Sequence, residues 1–278
     1  MAGAQARNPQ VTSTRSPVRT DIEIGGVTVR VCSDDSKFQK LLHERFDGFV
    51  RSGGEPHIEF DIELTSSPMG DPDADVHVFR SGEEWHLERG DFRAEWNPQC
   101  GRGHIRQSVN PYAIDSVLRI VHSIVLAREG GLLVHAASCV RNERAFLFSG
   151  KSGAGKTTIS RLAPRDAHLL SDEISYIRTE EQGWRAWGTP FSGELAKPGE
   201  NVNAPLHAIY LLAHGKENRI DDIASSDAAR AMLGNVLFFA KDPQLVQMVF
   251  QLTLGLVETV PVRSLTFVPD SSVWEMIQ

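Results

Sequence analysis

The chain has 278 residues, enough for one large domain or two small ones, and 41% hydrophobic and 23% charged residues are ordinary for a globular protein. Its net charge of −7 disfavours an extended nucleic-acid-binding surface. No apolar run approaches the roughly 18 residues that a membrane-spanning helix needs. The three cysteines are scattered and favour a reducing compartment, and no apolar segment follows the N-terminal arginines to form a secretory signal. We therefore expect a cytoplasmic protein that binds neither nucleic acid nor membrane.

The sequence pattern of the first 130 residues predicts a disordered lead followed by a folded region. Residues 1–20 are polar and without periodicity, which indicates a disordered lead. In residues 21–130, apolar residues alternate over 58–64 as in a half-buried strand, and they recur at helical spacing over 38–49. Further short strand patterns follow up to residue 96. These patterns predict a mostly antiparallel α+β region, and it contains no catalytic motif.

A longer helix is predicted at the end of this region. Asn110 is a suitable cap, Pro111 fits the first turn, and an apolar stripe runs over residues 114–125 before Gly130 ends the helix. His122 lies near that stripe, which favours a core histidine over a ligand. Two buried-type strands are predicted next, and the second leads into a glycine-rich loop.

That loop, GKSGAGKTT, matches the phosphate-binding (Walker A) pattern G-x-x-x-x-G-K-[ST]. Glycines allow the backbone to turn its N–H groups towards a polyphosphate, and a following helix adds its unpaired N–H groups. In this pattern Lys156 reaches the outer phosphates and the Thr157 hydroxyl holds Mg²⁺. The alternative is a glycine-rich turn with a solvent-facing lysine. The residues expected to contact the nucleotide are Gly150, Lys151, Ser152, Gly153, Ala154, Gly155, Lys156, Thr157 and Thr158.

Two acidic residues, Asp172 and Glu173, follow a short apolar strand pattern at 168–171. Ligands bind beyond the carboxyl ends of strands in such sheets, so these acids and the loop are expected to face one crevice. An aspartate there can hold magnesium, and the glutamate could orient or deprotonate a nucleophile. Because adjacent strand residues point to opposite faces, both acids can serve one site only if the strand has ended by Ser171. The alternative is a solvated acidic turn.

The segment GTPFSGE, residues 188–194, predicts a turn-rich loop that could cover the site. Glu194 and Lys197 are candidates there, although a mobile surface loop is the commoner interpretation of such a segment. Strands are predicted at 208–213 and near 265–267, and two helices begin near Ser226 and Asp242.

The block from residue 133 to 172 resembles the catalytic domain of HPr kinase/phosphorylase, a serine-kinase family that shares its fold with ATP-dependent phosphoenolpyruvate carboxykinase. His135 precedes Gly150 by fifteen residues, the loop has the form of that superfamily, and Asp172 follows Lys156 by only sixteen. Common ATPases place their magnesium aspartate much farther along the chain, so this short spacing is the more specific feature.

The resemblance implies an α/β fold, with a P-loop kinase core of this type over residues 131–278 behind the α+β region. It implies that Lys156 binds the β- and γ-phosphates and that Thr157 and Asp172 bind the metal. It further implies that Glu173 is the base that takes the proton from the attacking serine, and that His135 lies beside the γ-phosphate. The chain departs from the family in having Glu rather than Asp at position 173, and in lacking a clear equivalent of the later segment that grips the protein substrate.

The sequence therefore predicts an ATP- and Mg²⁺-dependent kinase that transfers the γ-phosphate to a hydroxyl, expected to be a serine of a protein or peptide. Two alternatives stay open. One is an ATP hydrolase or switch, because Asp-Glu at a strand end can also hold magnesium and activate water. The other is a non-catalytic nucleotide-binding module. The oligomeric state is also open, a homo-oligomer included.

Overall fold

The structure, a computed structural model, describes residues 18–67 and 69–277 and has a mixed α/β fold with two eight-stranded sheets. The first strand begins at Val18. The predicted disordered lead therefore extends too far, because residues 18–20 pair in a sheet. Residues 1–17 lie outside the described residues. In the part of the chain that the structure describes, no helix is both long enough and apolar enough to cross a membrane.

The first sheet has the strand order β3-β1-β2-β4-β8-β7-β6-β5. Its pairings are antiparallel except for β2 with β4 and β4 with β8, in agreement with the predicted mostly antiparallel region. Helix α1 (Ser36–Arg45) packs against β1 and β2. The strands are β1 (Val18–Ile24), β2 (Val27–Ser33), β3 (Val50–Arg51), β4 (Ile58–Thr65), β5 (His77–Ser81), β6 (Glu84–Arg89), β7 (Phe92–Asn97) and β8 (Arg102–Ser108).

The second sheet has the order β10-β9-β12-β13-β14-β16-β15, with β11 paired to β9 and β10 also paired to β14. Strands β10 and β16 both run parallel to β14, on its two sides. The carboxyl ends of these three strands therefore lie at one edge of the sheet. The strands are β9 (Gly131–Arg141), β10 (Arg144–Ser149), β11 (His168–Ser171), β12 (Ile174–Glu180), β13 (Gly183–Trp187), β14 (Asn203–His214), β15 (Arg219–Asp222) and β16 (Val262–Phe267).

Helix α2 (Pro111–Glu129) follows the first sheet and packs against β9 and against α5 (Pro243–Thr259). Its ends agree with the prediction: the Asn110 side chain accepts a hydrogen bond from the Tyr112 N–H at 2.9 Å, and Gly130 ends the helix at a φ of 82°. The other helices are α3 (Lys156–Arg161), α4 (Ser225–Leu233) and a short 3₁₀ helix (Ser271–Glu275).

One apolar core extends from the first sheet through α2 to the second sheet. His122 is completely buried in it, as predicted for a core histidine, and burial lowers the pKa of this imidazole to about 3. A smaller cluster, which includes Phe148, Ile159 and Trp274, lies beneath α3. Helix α3 and the loop before it therefore rest on packed side chains, which holds the loop against the edge of the sheet.

Candidate functional site

The glycine-rich loop connects the end of β10 to the start of α3, as the motif requires. Gly153 and Gly155 have φ values of 79° and 104°, in the left-handed region that glycine adopts without strain. A Cβ at Gly155 would also lie only 2.7 Å from Cζ of Phe267. Backbone conformation and space both select glycine at position 155.

Lys156 points back into the loop. Its Nζ donates hydrogen bonds to the carbonyl oxygens of Gly150 at 3.1 Å and Lys151 at 3.4 Å, and the residue is only 9% exposed. Burial lowers the pKa of Lys156, and the negative charges of Glu173 and Glu194 oppose that shift. The alternative of a solvent-facing lysine is therefore wrong.

A cavity of about 650 Å³ lies beside the loop, and we refer to it as the loop cavity. Gly150, Lys151 and Ala154 shape the backbone of the loop but do not line the cavity, whereas the other six predicted nucleotide-contacting residues do. The lining residues are His135, Ser152, Gly153, Gly155, Lys156, Thr157, Thr158, Asp172, Glu173, Gly193, Glu194 and His214.

The two acids lie in a turn between β11 and β12, because β11 ends at Ser171. The Ser171 hydroxyl accepts hydrogen bonds from the N–H groups of Glu173 at 3.1 Å and Ile174 at 2.9 Å. The sequence required the strand to end by Ser171 if both acids were to serve one site. The turn meets this condition, because Asp172 and Glu173 do not point to opposite faces of a strand. Both carboxylates line the loop cavity.

Asp172 is 3% exposed, so a solvated acidic turn is the wrong description of this residue. Its Oδ1 accepts a hydrogen bond from the Gly193 N–H at 2.8 Å, and its Oδ2 accepts one from the Leu195 N–H at 2.9 Å. Asp172 thus attaches the 188–202 loop, the connection between β13 and β14, to the site. Carboxylate oxygens that accept N–H bonds retain further lone pairs, so Asp172 can still accept from another group.

Asp172→Asn is expected to destabilise the fold by about 1–3 kcal/mol, because the amide NH₂ would face a backbone N–H and leave a buried donor unsatisfied. Denaturant unfolding measures the loss, and hydrogen exchange at the Gly193 and Leu195 amides should accelerate. Asp47→Asn, at an exposed position, is the matched control. Unchanged exchange at both amides would show that the two hydrogen bonds do not hold the loop.

Glu173 is partly buried, and burial raises the pKa of its carboxyl above the ordinary value of 4.5. The positive charges of Arg119 and Lys156 oppose this shift, and the negative charges of Asp172 and Glu194 add to it. A carboxylate with a raised pKa holds a proton more readily than one in water, which suits a group that accepts a proton from a hydroxyl.

His135 lies on β9 opposite Ile174 and faces the loop cavity. Burial lowers the pKa of His135, and the positive charge of Lys156 lowers it further. The neutral imidazole is therefore favoured, with one ring nitrogen able to donate and the other able to accept. The structure brings His135 together with Lys156 and both acids in one cavity.

His214 lines the cavity but was not a candidate from the sequence, and Gly193 was expected there only as part of the loop at 188–194. His214, at the carboxyl end of β14, has its Nε2 2.6 Å from the carbonyl oxygen of Gly153. The only signal for it was its position just after the predicted strand at 208–213. Glu194, on the 188–202 loop, was a candidate and does line the cavity, whereas Lys197 does not.

Among the described residues, no group of three or more His, Cys, Asp or Glu side chains could hold a metal ion. Magnesium usually binds through one or two carboxylates together with waters and substrate phosphates, rather than within a cage of protein ligands. The assignment of Thr157 and Asp172 to a metal therefore stays a prediction.

The model of the family described as "SynChlorMet cassette protein ScmC" matches residues 104–278, more than half of the chain. The chain belongs to the ScmC family. The match begins within β8 and includes α2, the glycine-rich loop, both acids and the 188–202 loop. All the residues that line the loop cavity therefore lie in the ScmC part of the chain, and most of the first sheet lies outside it.

The chain is also similar to the Hpr(Ser) kinase/phosphatase from Coxiella burnetii, with 14% sequence identity over 44% of this chain and 87% of that one and a TM-score of 0.24. A superposition at this level does not establish a shared fold, so for this ScmC family member the P-loop kinase core stays a prediction. No curated protein matches the chain.

Proposed function

We propose that the chain is an ATP- and Mg²⁺-dependent kinase that transfers the γ-phosphate to a hydroxyl of a protein or peptide, most readily a serine. The observation that carries this proposal is the convergence of Lys156 with Asp172 and Glu173 on one cavity beside a left-handed glycine loop. Phosphoryl transfer requires little covalent chemistry from the protein, and positioning and charge neutralisation supply most of the catalysis. The loop cavity contains groups for both tasks.

The donor set of the loop cavity suits a triphosphate. Gly153 and Gly155 turn the backbone in the way that phosphate loops need, and Lys156 is a buried cation at the end of that turn. The volume of about 650 Å³ lies within the usual range of roughly 300–1,000 Å³ for small-molecule sites. His214 supports the loop through its contact with Gly153.

Thr157 and Asp172 are the residues that would hold magnesium, because a hydroxyl and a carboxylate are the hard oxygen donors that this ion prefers. When bound, the ion would neutralise charge on the phosphate oxygens. Asp172 meanwhile keeps the 188–202 loop at the cavity through its two backbone hydrogen bonds. The residues present therefore fit the ion that the sequence predicts.

Glu173 is the proposed base, which accepts the proton of the attacking hydroxyl at a carboxylate oxygen. Burial raises its pKa, which favours that transfer, and the positive charges of Arg119 and Lys156 oppose the shift in favour of the ionised form. His135 is proposed to orient the transferred phosphoryl group as a neutral hydrogen-bonding partner.

The test is incubation of the purified chain with γ-labelled ATP and Mg²⁺, with and without lysate from the source organism. We expect label on a protein or peptide, in an acid-stable linkage that phosphoserine analysis identifies. Rapid release of labelled phosphate without lysate would instead favour a hydrolase. Tight ATP binding without turnover, across many acceptors, would favour a non-catalytic module, and absence of ATP binding would eliminate all three.

A further inference from the structure

A second cavity, of about 620 Å³, adjoins the loop cavity. Its walls come from α1, the end of β6, α2, the segment around residue 73 and the 188–202 loop. Three arginines line it, Arg45, Arg89 and Arg119, and we refer to it as the arginine cavity. Three acidic residues also line it, Glu44, Asp73 and Asp115. Gly193 lines both cavities, so this part of the 188–202 loop forms a wall of each.

Two of the three arginines already have anionic partners. Arg45 pairs with Asp115 and also donates to the carbonyl oxygen of Pro190 at 3.2 Å. Arg89 binds Asp91 through two hydrogen bonds, Nε to Oδ1 at 2.6 Å and Nη2 to Oδ2 at 2.9 Å. These pairs build the wall of the arginine cavity, and their charges are balanced within the protein.

Arg119 differs from both. Among the described residues it forms no ion pair and no hydrogen bond, and its Nε is buried without a partner. Its guanidinium lies 5.2 Å from the ring centroid of Phe191, which supports the side chain from one face. Burial lowers the pKa of Arg119, and the negative charges of Asp115 and Glu173 oppose that shift, although neither carboxylate forms an ion pair or hydrogen bond with it. Buried charges in proteins are usually paired and hydrogen-bonded, so this guanidinium at a cavity wall retains donors for a further anionic group.

The position of Arg119 connects the arginine cavity with the chemistry. Burial raises the pKa of Glu173, and among the charges around that carboxyl the one that opposes the shift most strongly is Arg119, ahead of Lys156. Glu173 itself lies against Gly193, where a Cβ would come within 2.8 Å of its Oε2. The proposed base therefore lines the loop cavity beside Gly193, the residue that the two cavities share.

We propose that the arginine cavity binds the phosphoryl acceptor, and that Arg119 pairs with a carboxylate side chain next to the acceptor's hydroxyl-bearing residue. This inference rests on the proposed function and adds a substrate class to it: a short peptide segment with a serine beside Asp or Glu. A guanidinium presents a planar fork of donors that matches a carboxylate with two parallel hydrogen bonds. Such a pair would hold the hydroxyl beside Glu173 and the phosphoryl donor in the loop cavity.

The test uses two degenerate serine peptide pools, N-acetylated and C-amidated, that differ only in a fixed Glu or Gln beside the serine, with uncharged residues elsewhere. We expect the wild-type chain to transfer label to the Glu pool about 10- to 100-fold faster, the range for a hydrogen-bonded charge pair. Arg119→Gln should bring the ratio close to one. Arg128→Gln, an exposed arginine on the same helix, should keep the wild-type ratio.

Arg119→Lys and an equilibrium-binding assay keep the test decisive if Arg119→Gln unfolds. The lysine variant retains the charge without the fork, so it should keep a reduced preference. In the binding assay, the protein is titrated into fluorescein-labelled peptide pools in the presence of a non-hydrolysable ATP analogue and Mg²⁺. Tighter binding of the Glu pool without transfer would support the acceptor site while the kinase proposal fails. Transfer to both pools at equal rates by the wild-type chain would overturn the acceptor site while the kinase proposal stands.

Discussion

Lys156→Met should lower phosphoryl transfer by about 10²- to 10³-fold, the range seen when one preorganised electrostatic group is removed from an active site. Methionine retains most of the length and apolar volume of the lysine stem but has no positive charge for the terminal phosphates. It also cannot donate to the Gly150 and Lys151 carbonyls, so the loop loses two internal hydrogen bonds. ATP affinity, measured by calorimetry with Mg²⁺, is expected to fall together with the transfer rate.

Arg161→Gln is the matched control, because it removes one positive charge from the exposed end of the same helix. It should leave ATP affinity and transfer close to wild type. Far-UV circular dichroism and thermal unfolding establish whether the Lys156 variant remains folded. A folded Lys156→Met protein with normal turnover would contradict the assignment of this lysine to the phosphates.

Glu173→Gln should act in opposite directions on activity and on stability. Loss of the general base is expected to lower transfer by about 10²- to 10⁴-fold. Burial raises the pKa of Glu173, which means that the folded state disfavours its ionised form. A neutral glutamine of similar shape removes that penalty, so the variant should unfold at a higher temperature than wild type at neutral pH.

The effect of Glu173→Gln on the stability of the fold should depend on pH. A carboxyl whose pKa is raised on folding contributes stability below its unfolded pKa, and that contribution is lost as the pH rises through the folded pKa. The stability advantage of Glu173→Gln should therefore be largest above the raised pKa and disappear below pH 4.5, the ordinary value of this group. Glu181→Gln, at an exposed position in the β12–β13 turn, should show no such trend. A stability difference that is constant between pH 4 and pH 8 would contradict the raised pKa.

Local features of the candidate site follow from short stretches of sequence. The spacing of glycines in residues 150–155, between an apolar strand and Lys156, specifies a strand, a left-handed loop and a helix because few other residues adopt those dihedral angles. The end of β11 at Ser171 is equally local, since the hydroxyl of that serine accepts hydrogen bonds from the N–H groups of Glu173 and Ile174. Helix α2 was likewise predictable from its caps at Asn110 and Gly130.

The partners of these local features are distant in the chain, and no periodicity reveals them. His214 reaches Gly153 because β14 runs parallel to β10, a pairing between strands about sixty residues apart. Asp172 bonds the backbone of residues 193 and 195, so any residue type at those positions could have supplied the donors. Backbone donors leave no pattern of side chains for sequence reasoning to detect.

Sequence alone thus determined the glycine loop with its lysine and the turn that presents Asp172 and Glu173, because each depends on dihedral preferences and hydrogen bonds within a few residues. The tertiary structure decided which side chains surround them. Arg119 was one polar position on a predicted amphipathic helix, and only the packing of α2 against the second sheet brings its charge close to Glu173. That proximity arises because the helix buries the apolar surface of its other face. The hydrophobic effect is non-directional, so the sequence does not show which polar residues this burial makes neighbours.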